Sequence, residues 1–192
     1  MKYESNRAAV DGAILRGMRE GLTRCGVLYQ REMKKALNGP SPSRPGKPPG
    51  KDTGTLGRSV QIDISGLNRG KRMRVRVGTN VVYAPIHEFG GSVKAKGGGL
   101  TVPIHPDAKR ASKKGESARD QSDLFMIKRP GKSPLLARDG GGQLDIMYAM
   151  PKRVVIPARP AWRPVFKRNV KKFGNSVRRS VDQALQSLGG AR

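Results

Sequence analysis

The chain has 192 residues, enough for one domain or for one domain carrying a long insertion. Lysine and arginine number 39 against 14 aspartate and glutamate, a formal net charge of +25, which argues against an ordinary solvated surface and for a polyanionic partner or an assembly whose other subunits supply the acid. The single cysteine, Cys25, excludes an internal disulfide and a cysteine-based metal centre, and no apolar run reaches the length of a signal peptide or membrane span, so the expectation is a soluble protein made in a reducing cytosol.

Residues 1–38 contain the first predicted element. Val10, Ile14, Met18, Cys25 and Leu28, widened by Leu15 and Leu22, recur at helical spacing from about Asn6 to Leu37, and Gly39-Pro40 stops the run. Unbroken, such a helix extends about 48 Å at roughly 1.5 Å per residue. Gly12, Gly17, Gly21 and Gly26 each cost on the order of 1 kcal/mol relative to alanine, which predicts a bend or a close helix contact between Gly17 and Gly26. Cys25 reads as a small core residue. Residues 39–52 form a linker rich in Pro, Gly and Ser with no side chain suited to a core. Gly50-Lys51 before Thr53 brings a phosphate-binding P-loop to mind, but Asp52 stands where Ser or Thr should follow the lysine, and no strand precedes it.

Residues 53–90 read as a β-hairpin sheet. Val60, Ile62 and Ile64 alternate with polar residues, Ser65 to Gly70 is a turn, and Val75 and Val77 alternate with Arg74 and Arg76 on the return. Val81 to Tyr83 offers a third pairing that Pro85 ends or pushes to an edge. Ile86-His87-Glu88-Phe89 before Gly90-Gly91 reads as a display loop that the glycine pair lets turn sharply. Residues 91–152 change character: glycine triplets at 97–99 and 140–142 and a basic run from Lys109 to Lys114 separate short apolar pieces. These predict an extended arm of short strands, too polar for an independent domain and ordered chiefly when something packs against it. Residues 153–192 supply a closing strand, Arg153 to Ile156, and a last helix striped by Phe166, Val170, Phe173, Val177, Val181, Leu185 and Leu188 up to Gly189-Gly190. Lys167, Arg168, Lys171, Lys172, Arg178 and Arg179 give that helix an outer face of one sign, which calls for acid elsewhere. The expected fold is a single α+β domain: a small antiparallel sheet packed with a long N-terminal helix and a C-terminal helix, plus the extended insertion.

Three ordered segments carry a resemblance: Asp52 to Val60 (DTGTLGRSV), the run from Gly78-Thr79 through Tyr83-Ala84 to Glu88-Phe89-Gly90-Gly91, and Val155 to Trp162 (VIPARPAW). Their order and spacing resemble the neck or tail-completion proteins of long-tailed bacteriophages, including the Mu-like virion morphogenesis and minor tail protein Z-like groups. Val102 to Pro106, Asp123 to Pro130 and Leu135 to Arg138 more loosely resemble the insertion of the Mu-type members. The resemblance implies a structural virion protein, not an enzyme, that forms a ring of itself, a hexamer, at the neck or tail end. Implied partners are a head-connector or stopper protein, a tail terminator or tail tube protein, and genomic DNA contacted nonspecifically in a basic channel. It places Thr53, Gly54, Leu56, Tyr83, Glu88, Phe89, Gly90, Arg159, Pro160 and Trp162 at subunit boundaries. Tyr83, Phe89 and Trp162 are large enough to anchor an interface and equally suited to an internal core. The arm residues Lys94, Lys96, Lys109, Arg110, Lys113 and Lys114 are candidates to reach DNA or a neighbouring ring.

The residues themselves favour no catalytic chemistry. His87 beside Glu88 suggests an acid-base pair or two metal ligands, but neighbours on a strand face opposite ways, and His105 lies at no ligand spacing from them. No Ser, His and Asp set stands out, and no cofactor is expected. Sequence-specific nucleic-acid recognition lacks a reading module, and base stacking lacks aromatic residues among the basic clusters, which leaves nonspecific backbone attraction. A duplex segment about 40 Å long carries roughly 24 phosphates, far fewer than the surplus charge of six copies, so most of that charge must face acidic proteins or counterions. The alternative expectation is a nonspecific nucleic-acid-binding protein of ribosomal or chromatin type. A nuclease built on His87 and Glu88 is a third.

Overall fold

The computed structural model describes residues 6–68 and 72–189 and shows an α+β protein. It divides into two compact units, one formed by residues 1–89 with 158–192 and the other by residues 90–157.

The first unit is organised by two helices. Helix α1 (Arg7–Leu37) runs without interruption, so Gly17, Gly21 and Gly26 serve close packing and not a bend. It lies against α5 (Trp162–Gly189), and at Gly17 and Gly21 a methyl group would come within 2.6 Å of the Val181 and Val177 Cα atoms. Gly26 meets the side chain of Val75 in the same way. The buried seam of α1 is therefore Ala13, Gly17, Gly21, Gly26, Met33 and Leu37, offset from the larger apolar residues that define its predicted stripe. Val10 and Val27 are exposed, and Cys25 is half-buried with its thiol 3.4 Å from the Phe173 carbonyl. Burial raises the Cys25 pKa, which disfavours the thiolate.

At the end of α1 the core gathers Met33, Leu37, Val60, Ala161 and Val165, with Tyr29, Leu56, Val77 and Trp162 packed around them. Tyr29 is the hub of an aromatic cluster: its ring meets Trp162, Phe166 and Phe173 edge-on at centroid distances of 6.3, 5.8 and 5.9 Å. The predicted linker is an ordered loop that returns on itself, the Lys51 amide donating to the Gly39 carbonyl at 2.8 Å. It leads into a single turn, α2 (Thr55–Arg58), whose preceding Gly54 takes φ +77°, a conformation that favours glycine.

Strands β1 (Gln61–Asp63) and β2 (Arg76–Gly78) pair antiparallel, with Ile62 opposite Val77. The predicted turn after β1 begins as a 3-10 turn at Ser65–Asn68, and Arg69 and Gly70 lie outside the described residues. Two expectations for the next stretch fail. Val81 to Tyr83 adds no third strand, and the segment read as a display loop is a helix, α3 (Ala84–Phe89). Proline ends strands but is well placed in the first turn of a helix, where its missing N–H has no partner to lose. Pro85 occupies that place. Gly90 follows at φ +72°.

The second unit contains two sheets. Strands β3 (Gly91–Lys94) and β8 (Arg153–Ile156) form an antiparallel pair, so the closing strand exists but pairs with β3 and not with the β1–β2 hairpin. Strands β4 (Val102–Pro103), β5 (Phe125–Ile127), β6 (Leu135–Asp139) and β7 (Leu144–Ala149) make a four-stranded antiparallel sheet in the order β4-β7-β6-β5. The basic run expected in an extended arm is instead helix α4 (Pro106–Lys114). Ala108, Met147 and Tyr148 are buried together with Ala118, Leu124 and Leu136 around them, a hydrophobic cluster internal to residues 90–157. Asp107 anchors α4 by accepting from Arg110 at 2.6 Å and from Arg138 at 3.0 Å, and Arg138 also reaches Asp145 at 3.3 Å.

Candidate functional site

The site begins with one buried carboxylate. Glu88 is 9% exposed, and its side chain lies across the first turn of α5. Oε2 accepts from the Ala161 amide at 2.7 Å and the Trp162 amide at 3.2 Å, and Oε1 accepts from the Arg163 amide at 3.4 Å. A helix start leaves its first N–H groups without partners and carries partial positive charge, so an anion placed there satisfies both demands. The same junction is tied by the Arg159 amide, which donates to the His87 carbonyl at 2.6 Å, and by the Tyr29 hydroxyl, which donates to the Trp162 carbonyl at 2.9 Å. Burial, with the nearby Glu88 charge, pushes the Tyr29 phenol up to about 12.

On one side of this junction opens a cleft of about 400 Å³. The loop and turn Lys51 to Gly57 form one wall, and Tyr83, His87 and Arg159 contribute the other. All three segments that carry the family resemblance thus send residues to one place: Thr53, Gly54 and Leu56 from the first, Tyr83 from the second and Arg159 from the third. Helix α3 is what brings Tyr83 and His87 together, since residues four apart share a helix face. Their rings meet edge-on at 5.7 Å. Thr53 and Thr55 share a hydroxyl hydrogen bond at 2.9 Å on the opposite wall.

Three residues of this lining each hold a polar atom, Ser43 Oγ, His87 Nδ1 and Arg159 Nε, that is shielded from solvent without a hydrogen-bond partner in the chain. Only one further side-chain atom among the described residues shares that state, Ser180 Oγ. Buried polar groups are nearly always paired, and leaving one unpaired costs about 1–3 kcal/mol. His87 has its pKa lowered, first by burial and then by the positive charge of Arg159, so its neutral form is favoured.

On another side of α3 the surface is apolar. Val82 is 95% exposed, Phe89 68% and Tyr83 43%. A groove of about 390 Å³ runs beside them, lined by Val77, Val81, Pro85 and Trp162. Pro160 is half-buried at the start of α5.

The basic candidates fall in the second unit. Lys94 ends β3 and Lys96 follows it, both exposed. Lys109, Arg110, Lys113 and Lys114 lie on α4, where Arg110 is already paired with Asp107. The basic outer face of α5 is exposed at Lys167, Arg168, Lys171, Lys172, Arg178 and Arg179, and Asp182 interrupts it by pairing with Arg178 at 4.0 Å.

Ser43 is a cleft residue that sequence reasoning did not single out, while Lys51 entered it only in the rejected P-loop reading and His87 only as an acid-base or metal candidate. The signal for His87 was present in the spacing Tyr83–His87 and Ala84–Glu88, which a helical reading of the segment would have placed on adjoining faces. Among the described residues no group of three or more His, Cys, Asp and Glu side chains is arranged to hold a metal ion. No helix among them is long and apolar enough to cross a membrane. No protein-family model matches the chain, and comparison with curated proteins and with solved structures finds no match either.

Proposed function

We propose that the chain is a structural subunit of a tailed phage particle, a neck or tail-completion protein that joins the head connector to the tail as a ring of identical copies. The observation that supports it best is the convergence of the three resembling segments on the α3–α5 junction, beside exposed Val82, Tyr83 and Phe89. Apolar and aromatic residues held on a rigid element are the usual anchors of a subunit boundary. The clasp of Glu88 on α5 gives them that rigidity, and the same contacts argue for a structural role, because they occupy the carboxylate in holding amides.

In this reading the ring docks between a head-connector or stopper protein and a tail terminator or tail tube protein. Its positive surplus is met by their acidic surfaces and, in a smaller part, by DNA in the channel. Particles purified from the host that carries the gene, and analysed by quantitative mass spectrometry, are expected to contain the chain at a few copies each, in proportion to the portal protein. Its absence from finished particles refutes the proposal.

The exposed, predominantly basic face of α5 favours a second reading, a nonspecific nucleic-acid-binding protein of ribosomal or chromatin type. That reading predicts duplex or structured RNA binding by the pure chain with a steep loss of affinity as salt rises. It predicts no fixed stoichiometry in particles.

A further inference from the structure

The cleft at the α3–α5 junction holds a chemistry that the docking role does not use. Three of its lining residues carry an unpartnered, shielded atom: Arg159 Nε is only a donor, and the Ser43 hydroxyl and the imidazole Nδ1 can each donate. The group that completes them must accept hydrogen bonds. Lys51 and Arg159 add two positive charges to the wall, and the guanidinium of Arg58 lies against Gly54, where a methyl group would be 3.0 Å from it. Asp52 is the one acid that lines the cleft, so the balance of the wall stays positive. A cation is repelled by such a site.

We propose that this cleft is an oxyanion site that takes a phosphate group, as free phosphate or as the terminal group of a phosphate monoester. The arginine fork matches phosphate oxygens, and lysine acts beside it as a point charge. Ser43 and Thr53 add hydroxyls to the lining, and a phosphate, with three acceptor oxygens, can meet more of these donors than a two-oxygen carboxylate. About 400 Å³ leaves room for the organic part of an ester, within the range of small-molecule sites. A backbone phosphodiester remains on the outside of its duplex and does not enter a recess between a loop and a helix. Gly50 keeps the loop closed, because a side chain there would collide with the Pro40 carbonyl. The site is independent of whether the chain is a neck subunit.

The test is an amide and imidazole NMR titration of the full chain with inorganic phosphate and, separately, with acetate, at ionic strength held constant by sodium chloride. Phosphate is expected to give saturating shifts confined to Ser43, the amides of 50–57 and the His87 ring, while acetate at equal concentration gives less than about a tenth of the occupancy. Lys51→Gln, at an exposed position that leaves the core untouched, is expected to weaken phosphate binding about tenfold. Ser43→Ala should also weaken it while leaving the fold's melting unchanged or raised. Three results overturn the proposal: shifts spread over surface lysines that Lys51→Gln does not alter, an adventitious ion only; acetate binding as well as phosphate; or no response of His87, with the unpartnered atoms met by ordered water.

Discussion

Glu88 is the residue on which the junction depends, and its role can be read from what it touches. Three backbone amides of α5 donate to one carboxylate, so Glu88→Ala removes every acceptor at once and leaves the donors shielded. The expected loss is about 2–3 kcal/mol in chemical denaturation, with a smaller loss for Glu88→Gln, which keeps one oxygen as acceptor. A catalytic glutamate would show the reverse pattern, activity lost and stability kept. His87 makes a pH prediction. Its folded pKa lies below the ordinary 6.5, so between these values the unfolded chain binds a proton that the folded chain resists. Stability is therefore complete above about pH 6.5 and falls as the pH drops from there towards the folded value. The groups that act on the imidazole are the Tyr83 ring and the Arg159 charge, and Lys51 and Asp52 line the same cleft. Asp107 and Asp120, both held below the usual carboxylate range by Arg138 and by Ser117 respectively, act only at lower pH. Denaturation at about pH 7.5 and about pH 5 should show a loss for the wild type that His87→Gln reduces. An equal loss in both contradicts this role for the imidazole.

At the scale of elements, the helices were the most legible part of the chain and their contacts the least. Periodicity placed α1 within a residue or two and found α5 from its stripe, Phe166 to Leu188, though not its start at Trp162, because each runs for many turns. It did not place the seam between them. Leu15, Leu22 and Leu28 dominate a reading of hydrophobicity, yet the interhelical contact is made by Gly17 and Gly21, whose value is the absence of a side chain. This separates two substitutions of the same kind. Gly12→Ala meets little and should stabilise by about 0.5–1 kcal/mol through helix propensity. Gly21→Ala must displace the Val177 backbone and should destabilise by about 1–3 kcal/mol. Thermal melts of the pair test the packing directly; equal shifts contradict it. Short elements were illegible for a different reason. Helix α3 carries six residues, too few for a period, and the strand-like valines before it biased the reading. Helix α4 did announce itself, with Pro106 in its first turn, Asp107 accepting there, lysines in its last turn and Gly115 at φ +91° beyond, but its glycine-rich surroundings masked those signals. Because residues 90–157 contain their own buried cluster, native-state hydrogen exchange of the isolated full chain should show protected amides in β6 and β7 without any partner. Unprotected amides there would support an arm that orders only on assembly.

For the whole molecule, the surplus of 39 basic over 14 acidic residues remains the main constraint. Ion pairs inside the chain engage only some of these cations, and the outer face of α5 stays exposed and predominantly basic, with Arg178 paired to Asp182. Composition made this legible at once, as a demand for acid outside the chain. The cleft was less so, because its walls come from positions more than 100 residues apart and no local pattern links Lys51 to Arg159. The resemblance linked the segments that flank the cleft by order alone, and Thr53, Tyr83 and Arg159 from those segments meet in its lining. What the proposed assembly requires beyond it is that the apolar surface beside the junction be covered. Phe89→Asp places a charge on that surface at a residue 68% exposed, so the fold should tolerate it. Incorporation of wild-type and Phe89→Asp chains into tailed particles, with melting temperature measured alongside, is the most direct test. The account predicts that the wild type copurifies with particles while the variant, equally stable, stays in the free fraction. Equal incorporation of both, or of neither, would contradict it.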